Sequence, residues 1–472
     1  MLGTMMDVPM LLSRLIEYAG DHHGATEVVS RLYAGGLERT DWAAMRSRSR
    51  RLAKALAANG HKVDGVVGSL AWNTANHVEL FYGAPGIGVA LHTLNPRITT
   101  DDLRYMTEMV GSETIFIDHG TLELAEQLAP LVPQVRQWIY MDEPGDPLPQ
   151  SSLPGLIAKS DYVSGFDDDF EWPSFDERQA ATICFTSGTT GRPKGVVYSH
   201  RSTTLGSMNM TMADMYGGYR AGALECVMPI ASIFHTNGWM MPFTAPMNGH
   251  KLVLAGRAFD APSLIELLRG EGVTVAAAVP TVWQDILATA AAQGLDLPAL
   301  RTVLMAGSRP SEALAEQFEA LGIGLRQSWG MTESPGATRG TPPPGAEHWP
   351  DGAMRDWVRN KQGRVPFQVE MRLVDDEGGR IGFGSGRPGH LRVRGPNVLG
   401  RYLGEPESAA KDWLETGDIA TIDADGSVNI VDRSKDVIKS GGEWISTLQL
   451  ESAAMAFPSV YQAAAISIPF DT

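Results

Sequence analysis

The chain has 472 residues, 43% hydrophobic and 20% charged, too long for one compact core and composed like a soluble globular protein. Its net charge of −16 argues against nonspecific nucleic-acid binding and against docking on anionic membranes, so a polyanionic ligand needs a local site. Cys184 and Cys226, both among apolar neighbours, read as reduced core residues, with no disulfide framework and no metal cluster expected.

No basic region followed by a long apolar run opens the chain, so no signal peptide is expected. The most apolar stretches, 82–94 and 273–280, are too short or too broken by Gly and Pro to span a bilayer. A cytoplasmic protein is expected.

Leu11, Leu12, Leu15, Ile16 and Ala19 share one helical face, so an amphipathic helix begins the fold. Helical stretches then alternate with β-rich runs at Thr114–Ile117, 138–141 and Lys251–Leu254. A helix at 262–268, a strand at 273–279, a helix near 283–288 and a strand at Thr302–Met305 follow. Leu314, Phe318 and Leu321 lie in helical register, with Gly322 as the stop. This alternation predicts an α/β fold of mainly parallel sheets covered on both faces by helices. Pro342-Pro343-Pro344-Gly345 marks an irregular, mobile connection. Beyond it, 369–374, 391–394 and 427–431 alternate polar and apolar residues, separated by turn signals at Asp376-Glu377-Gly378-Gly379 and Asp425-Gly426. They predict a small antiparallel sheet or β-barrel subdomain at about 345–432. The large N-terminal domain is thus expected over 1–432, and 433–472 holds only the start of a small α+β C-terminal domain: a hairpin, a helix and a strand.

The most chemically suggestive stretch is Thr186-Ser187-Gly188-Thr189-Thr190-Gly191-Arg192-Pro193-Lys194-Gly195, directly after the apolar run 181–185. Glycines let the backbone approach a polyphosphate, hydroxyls and amides donate to it, and Lys194 adds a mobile point charge. It is not a Walker A loop, because Gly195, not Ser or Thr, follows Lys194. A flexible surface linker has the same composition. Gln327-Ser328-Trp329-Gly330-Met331-Thr332-Glu333 follows a β-like segment at 322–326. It offers an aromatic face for a purine, a hydroxyl for phosphate and a carboxylate for Mg²⁺; a buried Trp beside a surface Glu is the plainer reading. Thr416-Gly417-Asp418 puts a carboxylate on a tight turn, suited to two ribose hydroxyls or to nothing beyond the turn. Phe234-His235-Thr236-Asn237-Gly238-Trp239 sets a His and a Trp among apolar residues, as an ordinary core histidine also would be. The run 432–444 is charged and ends in paired glycines, a solvated linker or a hinge.

Together and in this order, these segments resemble the adenylate-forming (ANL) superfamily, and within it the acyl-CoA synthetases of medium- and long-chain fatty acids and related acids. Ala71-Trp72-Asn73 and Asn95-Pro96-Arg97 add to the likeness, which spans essentially the whole chain. The resemblance implies activation of a carboxylic acid by ATP and Mg²⁺ to an acyl-adenylate, then transfer to coenzyme A. By the same likeness, Thr186, Ser187, Gly188, Thr189, Thr190 and Gly191 wrap the β- and γ-phosphates, and Lys194 neutralises the departing pyrophosphate. Trp329, in a segment with Gly330 and Met331, replaces the usual stacking Tyr. Thr332 contacts phosphate, Glu333 holds Mg²⁺, and Asp418 and Arg433 reach the ribose. Gly307 and Ser308 line the adenine pocket. His235, Trp239, Ala306, Gly307, Pro335 and Gly336 face the acyl group, and the Met-rich run Trp239-Met240-Met241 suits a roomy pocket. Lys435 marks the hinge, and Lys439, Gly441, Gly442, Glu443 and Trp444 lie on the segment that swings toward the coenzyme A side. Relatives are often homodimers.

Two departures stand out. His390 follows Gly389 where relatives usually carry Glu, which bears on a local contact. Relatives also continue past the position of Thr472 to a lysine in a Gly-Lys context that bridges carboxylate and ATP. A piece of a longer protein is therefore expected, because the strand-like run 463–469 would end unpaired. These residues are expected to bind ATP and acyl-adenylate yet adenylate poorly. Loading of a carrier protein, activation of a bulky terpenoid or aromatic acid, and a degenerate nucleotide- or acyl-binding protein are the alternatives.

Overall fold

The computed structural model describes the chain apart from residues 2, 187–190, 213–221, 351, 441–442, 448–449, 452–453, 455–456, 458–459, 461–462 and 467–472; of Asn237, Lys439, Ser440, Glu443 and Trp444 it describes the backbone. Two seven-stranded sheets form the body. The first runs Leu156–Ala158, Gln137–Tyr140, Thr114–Ile117, Val66–Leu70, Ala90–Leu94, Ala180–Phe185 and Gly195–Ser199 from edge to edge. The second runs Gly324–Gln327, Thr302–Met305, Val275–Ala278, Cys226–Pro229, Lys251–Leu254, Glu27–Arg31 and Leu37–Asp41. Every pairing is parallel except at one edge of each sheet, where a short connection returns an antiparallel strand.

The apolar residues sort into layers. One core is shared by both sheets through Val67, Leu91, Val227 and Leu252, with the helices Leu12–His22, Trp42–Ala58 and Ala75–Gly83 packed in it. Two further cores cover the outer face of each sheet. The helix Ala75–Gly83 is buried on all sides, its Glu79 paired with Arg48 and Lys159, and starts on the Thr74 hydroxyl, which accepts from the His77 N–H at 3.2 Å. Immediately before it, the Asn73 side chain donates to the carbonyls of Pro229 and Ala231 (2.9 and 3.1 Å) and accepts from the Ile233 N–H at 2.9 Å. Asn73 thereby fixes the segment that leads into Phe234-His235.

The expected β-rich unit is a five-stranded antiparallel sheet in the order Arg380–Ile381, Glu370–Val374, Gly389–Arg394, Leu414–Ile422, Val428–Arg433, so a sheet takes the place of a barrel. Both turn signals hold, with Gly378 and Gly426 at φ +82°. The proline run passes into a 3-10 turn at Ala346–His348 and a helix, Ala353–Asn360, that the sequence reading did not include. Thr416-Gly417-Asp418 is not a turn between elements. It lies within the strand Leu414–Ile422, where Gly417 takes φ +75° beside an irregular stretch of the pairing. Past Arg433, Ile438–Ser440 and Glu443–Ile445 pair as the expected hairpin, whereas 463–466 form no strand. Among the described residues no helix is long and apolar enough to cross a membrane.

Candidate functional site

Four of the sequence-predicted segments lie where parallel strands end. Thr186 follows Ala180–Phe185 of the first sheet; His235, Ala306 and Trp329 come after Cys226–Pro229, Thr302–Met305 and Gly324–Gln327 of the second. Strand ends and the crevice beyond them are where open α/β sheets bind ligands, because backbone groups there have no ladder partner. The edges of the two sheets meet here: the Tyr198 hydroxyl, on the antiparallel edge strand of the first, donates to the Thr332 carbonyl at 2.5 Å.

The glycine-rich loop is pinched shut at its base. The Thr186 N–H donates to the Lys194 carbonyl (3.0 Å), and the Lys194 N–H donates to the Thr186 hydroxyl (3.2 Å). Ser187, Gly188, Thr189 and Thr190 lie outside the described residues, while Gly191 and Lys194 are exposed. The Lys194 ammonium stands 4.7 Å from the centroid of the Tyr402 ring. The Tyr402 hydroxyl in turn donates to Glu333 Oε1 at 2.7 Å. Glu333 is buried at 7% exposure, and no cationic side chain pairs with it among the described residues. A buried carboxylate without a countercharge is costly and suits a cation that arrives with the ligand. Mg²⁺ is commonly held by one or two carboxylates plus substrate phosphates, so a single buried Glu without a protein cation would fit it.

The second cluster surrounds Asp418. Trp329 donates its indole N–H to Asp418 Oδ2 at 3.1 Å, and Arg433, cross-strand neighbour of Asp418, approaches Oδ1 with Nε at 3.2 Å. The Thr416 hydroxyl accepts from the Asp418 N–H (3.1 Å), and the Arg433 guanidinium donates to the Thr416 carbonyl (3.2 Å). Burial pushes the Asp418 carboxyl up to about 6, with Arg433 and Trp329 opposing the rise. Each carboxylate oxygen keeps a second lone pair for a ligand hydroxyl. Indole for phenol at 329 thus gives an aromatic face whose N–H is tied to the same carboxylate.

Segment 328–336 joins the clusters. Thr338 accepts from the Trp329 N–H at 2.7 Å, and Met331 and Ser334 close a tight turn. A Cβ on Gly330 would stand 2.9 Å from the Gly336 nitrogen, so close backbone packing excludes a side chain there. Thr332 and Pro335 are buried, and Gly336 takes φ +58°. Ala306 is half-buried; Gly307, at φ +89°, and Ser308 are exposed.

Burial lowers the His235 pKa, and the Glu333 carboxylate acts in the opposite direction. Downstream, Thr236, Trp239 and Met240 all take positive φ (45°, 52° and 65°), three of four such non-glycine residues among those described. Backbone strain of this kind persists only where surrounding contacts enforce it, and it gathers at binding sites. Lys435 is exposed in the turn after Arg433; Lys439, Glu443 and Trp444 belong to the hairpin by backbone alone, and Gly441 and Gly442 lie outside the described residues. His390, the departure noted in sequence, donates its Nε2–H to Asp376 Oδ1 at 2.9 Å, where a Glu would bring a second carboxylate up to the first. Sequence reasoning missed Tyr402, Tyr198 and Thr338. Their partners stand 69, 134 and 9 residues away, and no local pattern encodes such contacts.

The sequence matches the family model described as AMP-binding enzyme over residues 16–403. It is 40% identical over 474 residues to a medium-chain-fatty-acid–CoA ligase of Ectopseudomonas oleovorans, covering 99% of this chain and 85% of that protein. It is also 40% identical over 473 residues to a 3-methylmercaptopropionyl-CoA ligase of Ruegeria lacuscaerulensis, covering 99% and 87%. The anthranilate CoA ligase AuaEII in complex with anthranoyl-AMP has a similar fold, with a TM-score of 0.82 at 22% identity over 98% of this chain and 86% of that one. On the family match and these identities, the chain belongs to the AMP-binding enzymes.

Proposed function

We propose that this chain is an AMP-forming acid–CoA ligase acting on a hydrophobic carboxylic acid. The observation that carries the reading is the one segment, 329–333, that bears both clusters: Glu333, joined to Lys194 through Tyr402, and Trp329 on Asp418, which pairs with Arg433. Ligases of medium-chain fatty acids and of a thioether acid are equally similar to this chain, which favours an acid of modest length.

In the proposed reaction, a carboxylate oxygen of the acid attacks the α-phosphorus of ATP. The bond from that phosphorus to the bridging oxygen breaks, and pyrophosphate leaves. Two anions must meet, so the chain's task is to offset their repulsion. Lys194, at the closed base of the loop, faces the departing phosphates. Glu333 would hold Mg²⁺, which when bound supplies positive charge against the phosphate oxygens. Asp418 accepts the ribose hydroxyls, Arg433 keeps Asp418 oriented, and the Trp329 ring takes the adenine. In the second step a coenzyme A sulfur attacks the acyl carbon, AMP leaves and the thiol proton passes to solvent. The hinge role of Lys435 and the division near residue 432 belong to the same proposal.

A panel of acids from three to twelve carbons, assayed for coenzyme A-dependent AMP release, tests it. Release with a short or medium acid is expected; acid-dependent adenylate formation without any release to coenzyme A would point to a carrier-protein acceptor instead.

The Asp418 carboxyl gives a pH signature. A ligand that donates two hydroxyls needs the ionised form, so adenosine affinity is expected to be level above pH 7 and to fall about tenfold per unit below about 6. Adenosine is the probe because it has no phosphate that titrates there. Fluorescence titration from pH 5 to 8 reads the effect, and Asp418→Asn should flatten it. The fold itself responds in the other direction. With 3.8 as its ordinary value and about 6 in the folded chain, this group adds stability as pH falls between them.

A further inference from the structure

We infer that Tyr402 is a positioning residue for adenylation, a spacer that holds Lys194 and Glu333 in place and keeps them from pairing with each other. The inference rests on the reading above, in which Lys194 meets phosphate and Glu333 meets the cation.

Opposite charges facing one crevice tend to collapse onto each other. Here they do not: among the described residues Lys194 has the Tyr402 ring at 4.7 Å, and Glu333 Oε1 has the Tyr402 hydroxyl at 2.7 Å. A direct ion pair would neutralise both groups and would have to break as the nucleotide binds. An aromatic face attracts a cation without competing as strongly as phosphate, and a phenol holds a carboxylate without cancelling its charge. One side chain performs both tasks.

Its backbone is set to do so. The Leu399 N–H donates to the Glu333 carbonyl at 2.8 Å, and the Leu403 N–H donates to the Gly195 carbonyl at 2.9 Å. The connection between Gly389–Arg394 and Leu414–Ile422 therefore grips both loops, with Tyr402 between the two grips. A Cβ on Gly195 would lie 2.9 Å from the Leu403 Cβ, so that approach requires glycine beside Lys194. The Tyr402 ring packs on the small core of Cys184, Val196 and Tyr198. Burial, and then Glu333, raise the pKa of the phenol, which stays a donor at neutral pH.

Isothermal titration of ATP, in Mg²⁺ and separately in EDTA, tests this with Tyr402→Phe and Tyr402→Leu. Tyr402→Phe keeps the ring under Lys194 and loses the hydroxyl. It is expected to weaken ATP binding about tenfold in Mg²⁺ and to leave binding in EDTA unchanged. Tyr402→Leu is expected to lose about threefold in EDTA as well. In steady state, Tyr402→Phe should change the Mg²⁺ concentration for half-maximal rate more than it changes kcat. No loss, or equal losses with and without Mg²⁺ in Tyr402→Phe, would overturn the spacer role and leave the site assignment standing. Glu333→Gln separates the two ideas: if it keeps the full gain in affinity from Mg²⁺, the cation assignment itself falls, and the spacer with it. Should Tyr402→Leu fail to fold, the Phe variant decides alone.

Discussion

Lys194→Ala is expected to slow acid-dependent ATP–pyrophosphate exchange by about a hundredfold, the usual cost of one preorganised charge at a developing anion. Lys194 is exposed, and the contact described for its ammonium is the face of Tyr402, so the fold loses little. The thermal midpoint should stay within a few degrees of the parent's, since exposed cation–π contacts contribute only about 0.5–1 kcal/mol. Lys194→Arg keeps the charge but swaps a compact ammonium for a planar fork, and it should recover part of the rate. A change below about twofold for Lys194→Ala would show that the leaving phosphates lie elsewhere.

Glu333→Ala is expected to lower the same exchange by about a hundredfold as well, with a different dependence on metal. Truncation leaves the Tyr402 hydroxyl without its acceptor, a loss of about 1–3 kcal/mol in a half-buried place. Glu333→Gln is therefore the sharper probe: its amide oxygen still accepts from Tyr402, and only the charge is gone. If Glu333 serves the cation, Glu333→Gln should show the rate loss with a near-parental melting temperature and a right-shifted Mg²⁺ response. Parental Mg²⁺ dependence with a lost melting temperature would mean that Glu333 acts in packing.

The sequence carried most of the α/β body because the parallel strands are short apolar runs between helical repeats, and periodicity reads such runs well. Thr114–Ile117, Lys251–Leu254 and Thr302–Met305 fall where the pattern places them. It read Thr416-Gly417-Asp418 as a turn because Gly and Asp are turn formers. The ladders on either side override that preference and hold Gly417 at positive φ inside a strand. The helix Ala353–Asn360 escaped notice among Gly and Pro, since its anchoring comes from Trp357, whose indole N–H reaches the Ser427 hydroxyl at 2.8 Å.

For the site, the residue types alone set out the chemistry on offer: a glycine-rich loop with one lysine, an aromatic followed by a carboxylate, a Gly-Asp and an Arg. Local order places the glycine-rich loop and the Trp-to-Glu segment after strand ends, where hydrogen bonding within the sheet runs out, whereas Asp418 and Arg433 sit within a ladder. Tertiary structure decided which groups meet. Asp418 and Arg433 are cross-strand partners, and Trp329 reaches Asp418 from another sheet. Tyr402, on a connection of the same sheet as Asp418, comes between Lys194 and Glu333, which lie on loops of the two seven-stranded sheets. Contacts over such separations are set by how three sheets pack, and packing depends on the whole core, not on the neighbours of any one residue.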